Sequence, residues 1–503
     1  MRNISKKQEE KRSKKIAKNA KGITLVALVI TIIIIIILAT VTINMAFGDD
    51  GIIKRAELAK DMYANDTAYT DQSMANATAY LDEMLNGVEG GSGGEDQPEE
   101  PVEPENPSID ETLPDKPNVV AGIIPVKYES GTGWVRTTED DPEWYNYGTE
   151  EVAGGAAGKT WANAVLGNAS WTTSGEKQVL NESATYSMVV WIPRYAYQIT
   201  SQYHQNGSGA GNINIAFINT ANEDKEGKTY SETYPSANTG SGMTEYVVHP
   251  AFNYGGTRLA GFWAGKFETS NTAGSSTDST SQTVQIKGNV SSWRSIQVKN
   301  IFTVCTNMNA SGNVYGLSED DNVIDPHMMK NSEWGAVAYL SQSKYGKNAE
   351  VTINSNSSYT TGGGNYVSNT AQSTNGNITG IYDMSGGAWE YVAGYVGSGS
   401  SYGTTLVSAA EKYKDVYPTS YTSSTPANGH YGDAVYETSS SSSGTNSWYS
   451  DYSSFPNTSR PFFVRGGYYG DGSYAGVFFF NGNNGDEVSS YSFRVVLSPL
   501  SVT

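Results

Sequence analysis

Residues with the means to do chemistry are few and scattered along this chain. Its four histidines, His204, His249, His327 and His430, show no H-x-H or H-E-x-x-H spacing, so a zinc-hydrolase arrangement is absent. The single thiol, Cys305, lies in VKNIFTVCTNM among apolar neighbours. One cysteine makes neither an internal disulfide nor a multi-cysteine zinc site, and its setting reads as a buried small hydrophobe. EDDNVIDPH (319–327) gathers Asp320, Asp321, Asp325 and His327. These are hard-cation ligand types, but without EF-hand spacing, and the segment reads as a solvated acidic loop. GSGAG (207–211) lacks the strand-then-helix context of a phosphate cradle. Asp383, Glu390, Arg465 and Arg494 stand beside aromatic residues, where buried, satisfied pairs or caps are expected.

One stretch has a different character, RGGYYGDGSYAGVFFFNGNNGDEVSSYSFRVV (465–496). Between Arg-Gly-Gly and Phe-Arg-Val-Val it holds Tyr, Asp, Ser, Asn, Gly and Phe, one Glu, and no Lys, Gln, Cys or His. Tyrosine with Ser, Gly and Asn gives adaptable contact at low entropic cost. The expected ligand-binding residues are Tyr468, Tyr469, Asp471, Ser473, Tyr474, Asn481, Asn483, Asn484, Asp486 and Tyr491. No catalytic or metal-ligating set is expected.

The elements that must carry this surface follow from composition. The 503 residues are 38% hydrophobic, with 54 Gly and 34 Tyr, a balance that favours short strands and many turns over helical bundles. Residues 1–21 hold nine basic side chains and only Glu9 and Glu10 as acids; beyond residue 22 there are 24 basic against 50 acidic side chains. So acidic a body excludes nucleic acid as a partner. Residues 23–47 contain no charge over 25 positions, more than the roughly 20 needed to cross a bilayer. The basic stretch before them is expected to stay cytoplasmic and the acidic body to lie outside, a single-pass anchor at the cell surface.

After residue 51 apolar residues recur at helical spacing through Leu85, giving a transmembrane and stalk helix over 23–85. Residues 86–118 are a Gly/Pro/acidic linker whose Pro98, Pro101, Pro104 and Pro107 match the threefold repeat of polyproline II, a spacer holding the body off the membrane. Residues 119–185 are expected as an added β element and 186–503 as the main domain. There SMVVWIPRYAYQI (187–199) reads as one strand, GFWAGKFETS (261–270) as another, and MMKNSEWGAVAYLSQSKYG (328–346) as a helix capped by Asn331 or Ser332. Strands are also expected in GIYDMSGGAWEYVAGY, VRGG and YSFRVVL, and surface loops at 354–376, 397–403 and 437–459. Trp191, Trp263, Trp293, Trp334 and Trp389 read as core. Mixed short strands with few helices make the fold class α+β.

Two resemblances bear on these elements. KGITLVALVIT resembles the leader of type IV prepilins and pseudopilins. This implies cleavage between Gly22 and Ile23 by a prepilin peptidase, and other pilin subunits as partners. Ala27 stands where that family usually has Glu. In the body, MVVWIPR, FWAGKFETS, VSSWRSI, KNSEWGAVAYL, GIYDMSGGAWEY, FVRGG and SFRVV are similar, in order, to segments of the formylglycine-generating-enzyme (sulfatase-modifying-factor) family, a branch of the C-type-lectin fold.

The resemblance implies a C-type-lectin-like domain, but that family's copper-holding cysteine pair falls near Asp471 and Gly476, and neither is Cys. Formylglycine chemistry is therefore not expected. The family's calcium site normally uses the Asn of Gly-Asn-Val-Trp-Glu; Gly387 stands there, although Glu390 remains. No cofactor is expected. The closing stretch also resembles the variable proteins of diversity-generating retroelements, with SYAGVF (473–478) similar to their frame. There the face between Arg-Gly-Gly and Phe-Arg-Val binds ligand and is rewritten at template adenines. The expectation is a pilin-like display protein with a non-catalytic, hypervariable ligand-binding face toward a surface protein or glycan, serving adhesion. The alternative is a minor pseudopilin, a structural subunit of a pilus or secretion system.

Overall fold

The computed structural model describes residues 114–167, 187–274, 276–421, 430–441 and 443–500. Gly22, Ile23, the apolar segment, the stalk and the linker up to residue 113 lie outside them. Among the described residues no helix is long and apolar enough to cross a membrane. The chain divides into two units, Met1–Glu103 and Pro104–Thr503, and every described residue falls in the second. Short strands dominate it, with three α-helices among the described residues, Val298–Thr306, Asn331–Gln342 and Thr404–Ser408, the mixed architecture expected from composition.

One seven-stranded sheet runs in the order Ile324–Met328, Val495–Pro499, Gly261–Gly265, Ser187–Pro193, Asn163–Leu166, Ile123–Glu129, Gly133–Arg136, all antiparallel. Ser187–Pro193 is buried at every position, which is why its sequence is a continuous apolar run rather than an alternation. The expected strand over 187–199 is in fact two. The break falls at Arg194, whose N–H donates to the Ala260 carbonyl at 2.8 Å while its own carbonyl accepts from the Ile218 N–H at 3.2 Å, passing the chain from one sheet to the other; its buried guanidinium donates to the Phe252 carbonyl at 2.8 Å. Tyr195–Ile199 then pairs in a separate small sheet with Ile213–Phe217 and Val247–Val248. GSGAG lies in that hairpin, between two antiparallel strands. The added β element shows no break from the body: its strands continue the same sheet, and its Trp144 stacks on Trp263 with ring centroids 6.4 Å apart.

A second sheet runs Asp415–Tyr417, Trp389–Val396, Phe462–Gly466, Gly476–Asn483, Ser453–Ser454, Ser443–Gly444, with Tyr491–Phe493 alongside the start of Trp389–Val396. Between Arg465 and Gly466 the pairing with Gly476–Asn483 slips, so the segment 467–475 leaves the ladder. The helix Asn331–Gln342 is buried along its whole length. Its cap is Lys330, not Asn331 or Ser332: the Glu333 carboxylate accepts the Lys330 N–H at 2.8 Å and Asp415 accepts the Ser332 N–H at 2.7 Å. Asn331 is drawn inward instead, to Tyr417 Oη at 2.7 Å and Arg465.

Of the expected surface loops, 354–376 is packed only in part and 437–459 over most of its described length. Asn354, Thr361, Ser373 and Thr374 are buried in the first, and Glu437, Trp448 and Asp451 in the last. Their polar composition hid this, because the burial is satisfied by hydrogen bonds rather than apolar contact. Glu437 accepts from the hydroxyls of Tyr197, Tyr234 and Tyr339 and from the Gly432 N–H. Burial pushes its carboxyl up, and these donors pull it down. Cys305 is buried, as expected, and burial raises its thiol well above the usual range. EDDNVIDPH is only half a solvated loop. Asp320 and Asp321 are exposed, but Asp325 and His327 are buried on the edge strand Ile324–Met328, Asp325 paired with Lys412 and His327 Nε2 lying 2.9 Å from Glu333 Oε1.

A candidate recognition face

Two buried arginines frame the closing stretch. Arg465 donates to the carbonyls of Asp433 at 3.3 Å and Ala434 at 3.0 Å and to Asn331 Oδ1 at 3.2 Å. Arg494 holds the Glu390 carboxylate through Nε and Nη2, and donates to the carbonyls of Gly265 at 2.8 Å and Tyr382 at 3.0 Å. Asp383, held at φ 64°, accepts from Asn354 Nδ2 at 2.9 Å and the Gly362 N–H at 2.8 Å. Asp383, Glu390 and Arg494 are satisfied structural groups, as expected, while Arg465 is buried with its Nε left without a partner. Burial pushes the Glu390 carboxyl up to about 7 against the opposing pull of Arg494.

Between the clamps, the chain released at the bulge makes the turn Gly472–Tyr474. The Tyr469 N–H donates to the Gly387 carbonyl at 2.9 Å, and Asp471 Oδ2 accepts from Trp389 Nε1 at 2.7 Å and from the Tyr468 N–H at 3.0 Å. Rings then line up. Tyr391, Tyr491, Trp389, Tyr468, Tyr469 and Tyr359 follow one another with centroids 4.6–5.1 Å apart, within the range of favourable edge and offset contacts. The Arg294 guanidinium closes the row, 4.0 Å from the Tyr359 ring centroid. Arg294 also donates through Nη1 to the Ser489 carbonyl, and its Nε is buried without a partner.

The predicted residues divide by position. Tyr468, Tyr469 and Asp471 are half-buried in the row, while Ser473 and Tyr474 are exposed on the turn, Tyr474 to 54%. Tyr491 lies beneath the face at 7% exposure, wedged between Trp389 and Tyr391; it supports the surface rather than forming it. Asn483 is likewise committed, accepting from Tyr391 Oη at 2.6 Å and the Gly485 N–H at 2.9 Å. Asn484 and Asp486 close a turn on each other, and half-buried Asn481 accepts from the Gly482 N–H at 2.8 Å. Four members of the row were not foreseen, the buried Tyr391 among them. Trp389, read as core, is only half-buried, because its strand ends at the face. Tyr359 and Arg294 come from distant segments, and only topology joins them to it.

The two positions that match the resembled enzymes' cysteine pair are otherwise occupied. Asp471 is spent on Trp389, and at Gly476 any added Cβ would collide with the buried Asp451 carboxylate. The calcium donors do not fit either. The Glu268 carboxylate, which accepts the Ala388 N–H at 2.7 Å, occupies the space a side chain at position 387 would need, and Glu390 is engaged by Arg494. Among the described residues no group of three or more His, Cys, Asp or Glu could hold a metal ion. Compared with protein-family models, the chain matches none, and no curated protein matches it.

Proposed function

We propose that this chain is an envelope-anchored, pilin-like display protein whose C-type-lectin-like body presents a non-catalytic ligand-binding face. The observation that carries this reading is the continuous row from Tyr391 to Arg294. It puts half-buried rings and one guanidinium beside an exposed turn, on a base fixed by buried ion pairs and hydrogen bonds. Rigid aromatic anchors ringed by Ser, Gly and Asn are what an adaptable recognition surface requires. The uncharged segment 23–47 and the acidic, proline-spaced linker support display away from a membrane. The prepilin-like leader supports export and cleavage after Gly22. Residues 465–467 and 475–480 are buried while Ser473 and Tyr474 between them are exposed, a division that supports sequence variation at the face.

The test is a binding screen of the full chain on arrays of glycans and cell-surface proteins, repeated with Tyr468→Ala, Tyr469→Ala and Tyr474→Ala. The expected result is a ligand whose binding falls at least tenfold in one or more variants. Ligands bound equally by all the variants would remove the face from the function.

A further inference from the structure

A polar cavity of about 240 Å³ opens where the N-terminus of the Asn331–Gln342 helix meets the edge strand Asp415–Tyr417. It shares no lining residue with the aromatic row. Asp415–Tyr417 pairs with Gly394–Val396, the far end of the strand whose first residue is Trp389, so at about 3.3 Å per residue the two places lie more than a dozen ångströms apart.

The lining charges balance, Lys330, Lys412 and Lys414 against Glu411, Asp415 and Asp433. Most are already spent. Lys412 pairs with Asp325. Lys414 donates to the carbonyls of Val407 at 2.8 Å and Ala409 at 2.7 Å and lies 3.3 Å from Glu411, whose side chain is 85% exposed at the rim. Asp433 accepts from Tyr417 Oη at 2.7 Å and the Val435 N–H at 3.0 Å. Two opposite charges keep capacity. The Lys330 side chain is 5% exposed, and its acidic partner is Glu333 at 3.5 Å, an oxygen already 2.9 Å from His327 Nε2. Asp415 uses one oxygen for the Ser332 N–H. His430, stacked on Tyr417 at 4.0 Å, forms a flat wall.

A buried ammonium held only by one long carboxylate contact and the face of the Tyr254 ring, 5.1 Å from its centroid, is under-compensated for its lost hydration, and a ligand carboxylate would correct that. A purely anionic ligand would meet Asp415 and Asp433, and a purely cationic one would meet three lysines; a molecule bearing both charges complements both. The volume lies below the ~300–1,000 Å³ of drug-sized pockets, which fits a small metabolite. We propose that this cavity binds a small zwitterion of the free α-amino-acid class, its carboxylate on Lys330 and its ammonium on Asp415.

The test is calorimetric titration of the full chain with glycine, serine, aspartate and lysine, and with acetate and methylamine as single-charge controls. The expected result is saturable binding of at least one amino acid at millimolar concentration or below, with both controls at least tenfold weaker. Lys330→Met and Asp415→Asn are expected to weaken it at least tenfold. Both positions cap the helix, so His430→Ala, which removes only the flat wall, provides a variant expected to keep the melting temperature while weakening binding several-fold. No heat with any amino acid, acetate binding as tightly as the zwitterions, or binding unmoved in His430→Ala and in whichever cap variants fold would each overturn the proposal. Tyr468→Ala is expected to leave this binding unchanged, which separates its failure from failure of the recognition face.

Discussion

Trp389 and Asp471 are tied by one short hydrogen bond, indole to carboxylate at 2.7 Å, and the same oxygen accepts the Tyr468 N–H. The exposed turn is therefore locked to the sheet through a side chain that is itself half-buried. Asp471→Ala leaves two donors without a partner, and about 1–2 kcal/mol of stability is expected to go with them in urea unfolding. Asp471→Asn keeps an acceptor and is expected to lose less than Asp471→Ala.

The Glu390–Arg494 pair lies wholly inside. Glu390→Ala strands a buried guanidinium, and a loss of about 3–5 kcal/mol is expected in the same measurement. A loss below 1 kcal/mol would mean that the two backbone carbonyls alone satisfy Arg494.

Gly387 sits at φ +76°, and a Cβ there would run into Glu268. Gly387→Ala is expected to cost about 1–3 kcal/mol through backbone strain and displacement of that carboxylate. Gly387→Asn, which restores the residue of the resembled calcium site, is expected to lower the melting temperature as well. Neither calcium nor EDTA is expected to shift that variant's melting temperature.

Burial pushes the Asp433 carboxyl up to about 7 from an ordinary value of 3.8, against the pull of Tyr417 and Arg465. Between those values the folded chain binds more protons than the unfolded one, so this group's contribution to stability is full below the lower value, declines as pH rises towards 7, and is flat above. Asp433→Asn is expected to reduce the decline in melting temperature between pH 4 and 7. An unchanged slope would show that Asp433 stays ionised throughout.

Legibility from sequence followed the kind of force involved. Apolar runs such as MVVWIP and aromatic-flanked arginines announced the sheets and their clamps, because burial of large apolar surface leaves a local pattern. The helix cap on Lys330, the break at Arg194 and the packing of Glu437, Thr438 and Ser439 were not legible. The Ser332 N–H at the helix start, the chain's passage between sheets at Arg194 and the Glu437 hub each depend on a hydrogen bond to a residue dozens or hundreds of positions away. At the face, the Tyr468–Tyr474 turn announced itself by composition. Arg294 and Tyr359 reach it only through tertiary contact, and Tyr491 proved a support because the strand it belongs to runs beneath the turn.

The Glu437 cluster has a kinetic consequence. Its tyrosine donors lie 240, 203 and 98 residues away along the chain. No local nucleus assembles such a hub, and closing loops of that length comes late on the folding path. An interaction formed after the transition state governs escape from the native state rather than entry into it. Glu437→Gln is therefore expected to speed unfolding while leaving the refolding rate nearly unchanged. If the body is displayed outside the cytoplasm, as proposed above, a slow exit from the folded state matters more than a fast arrival.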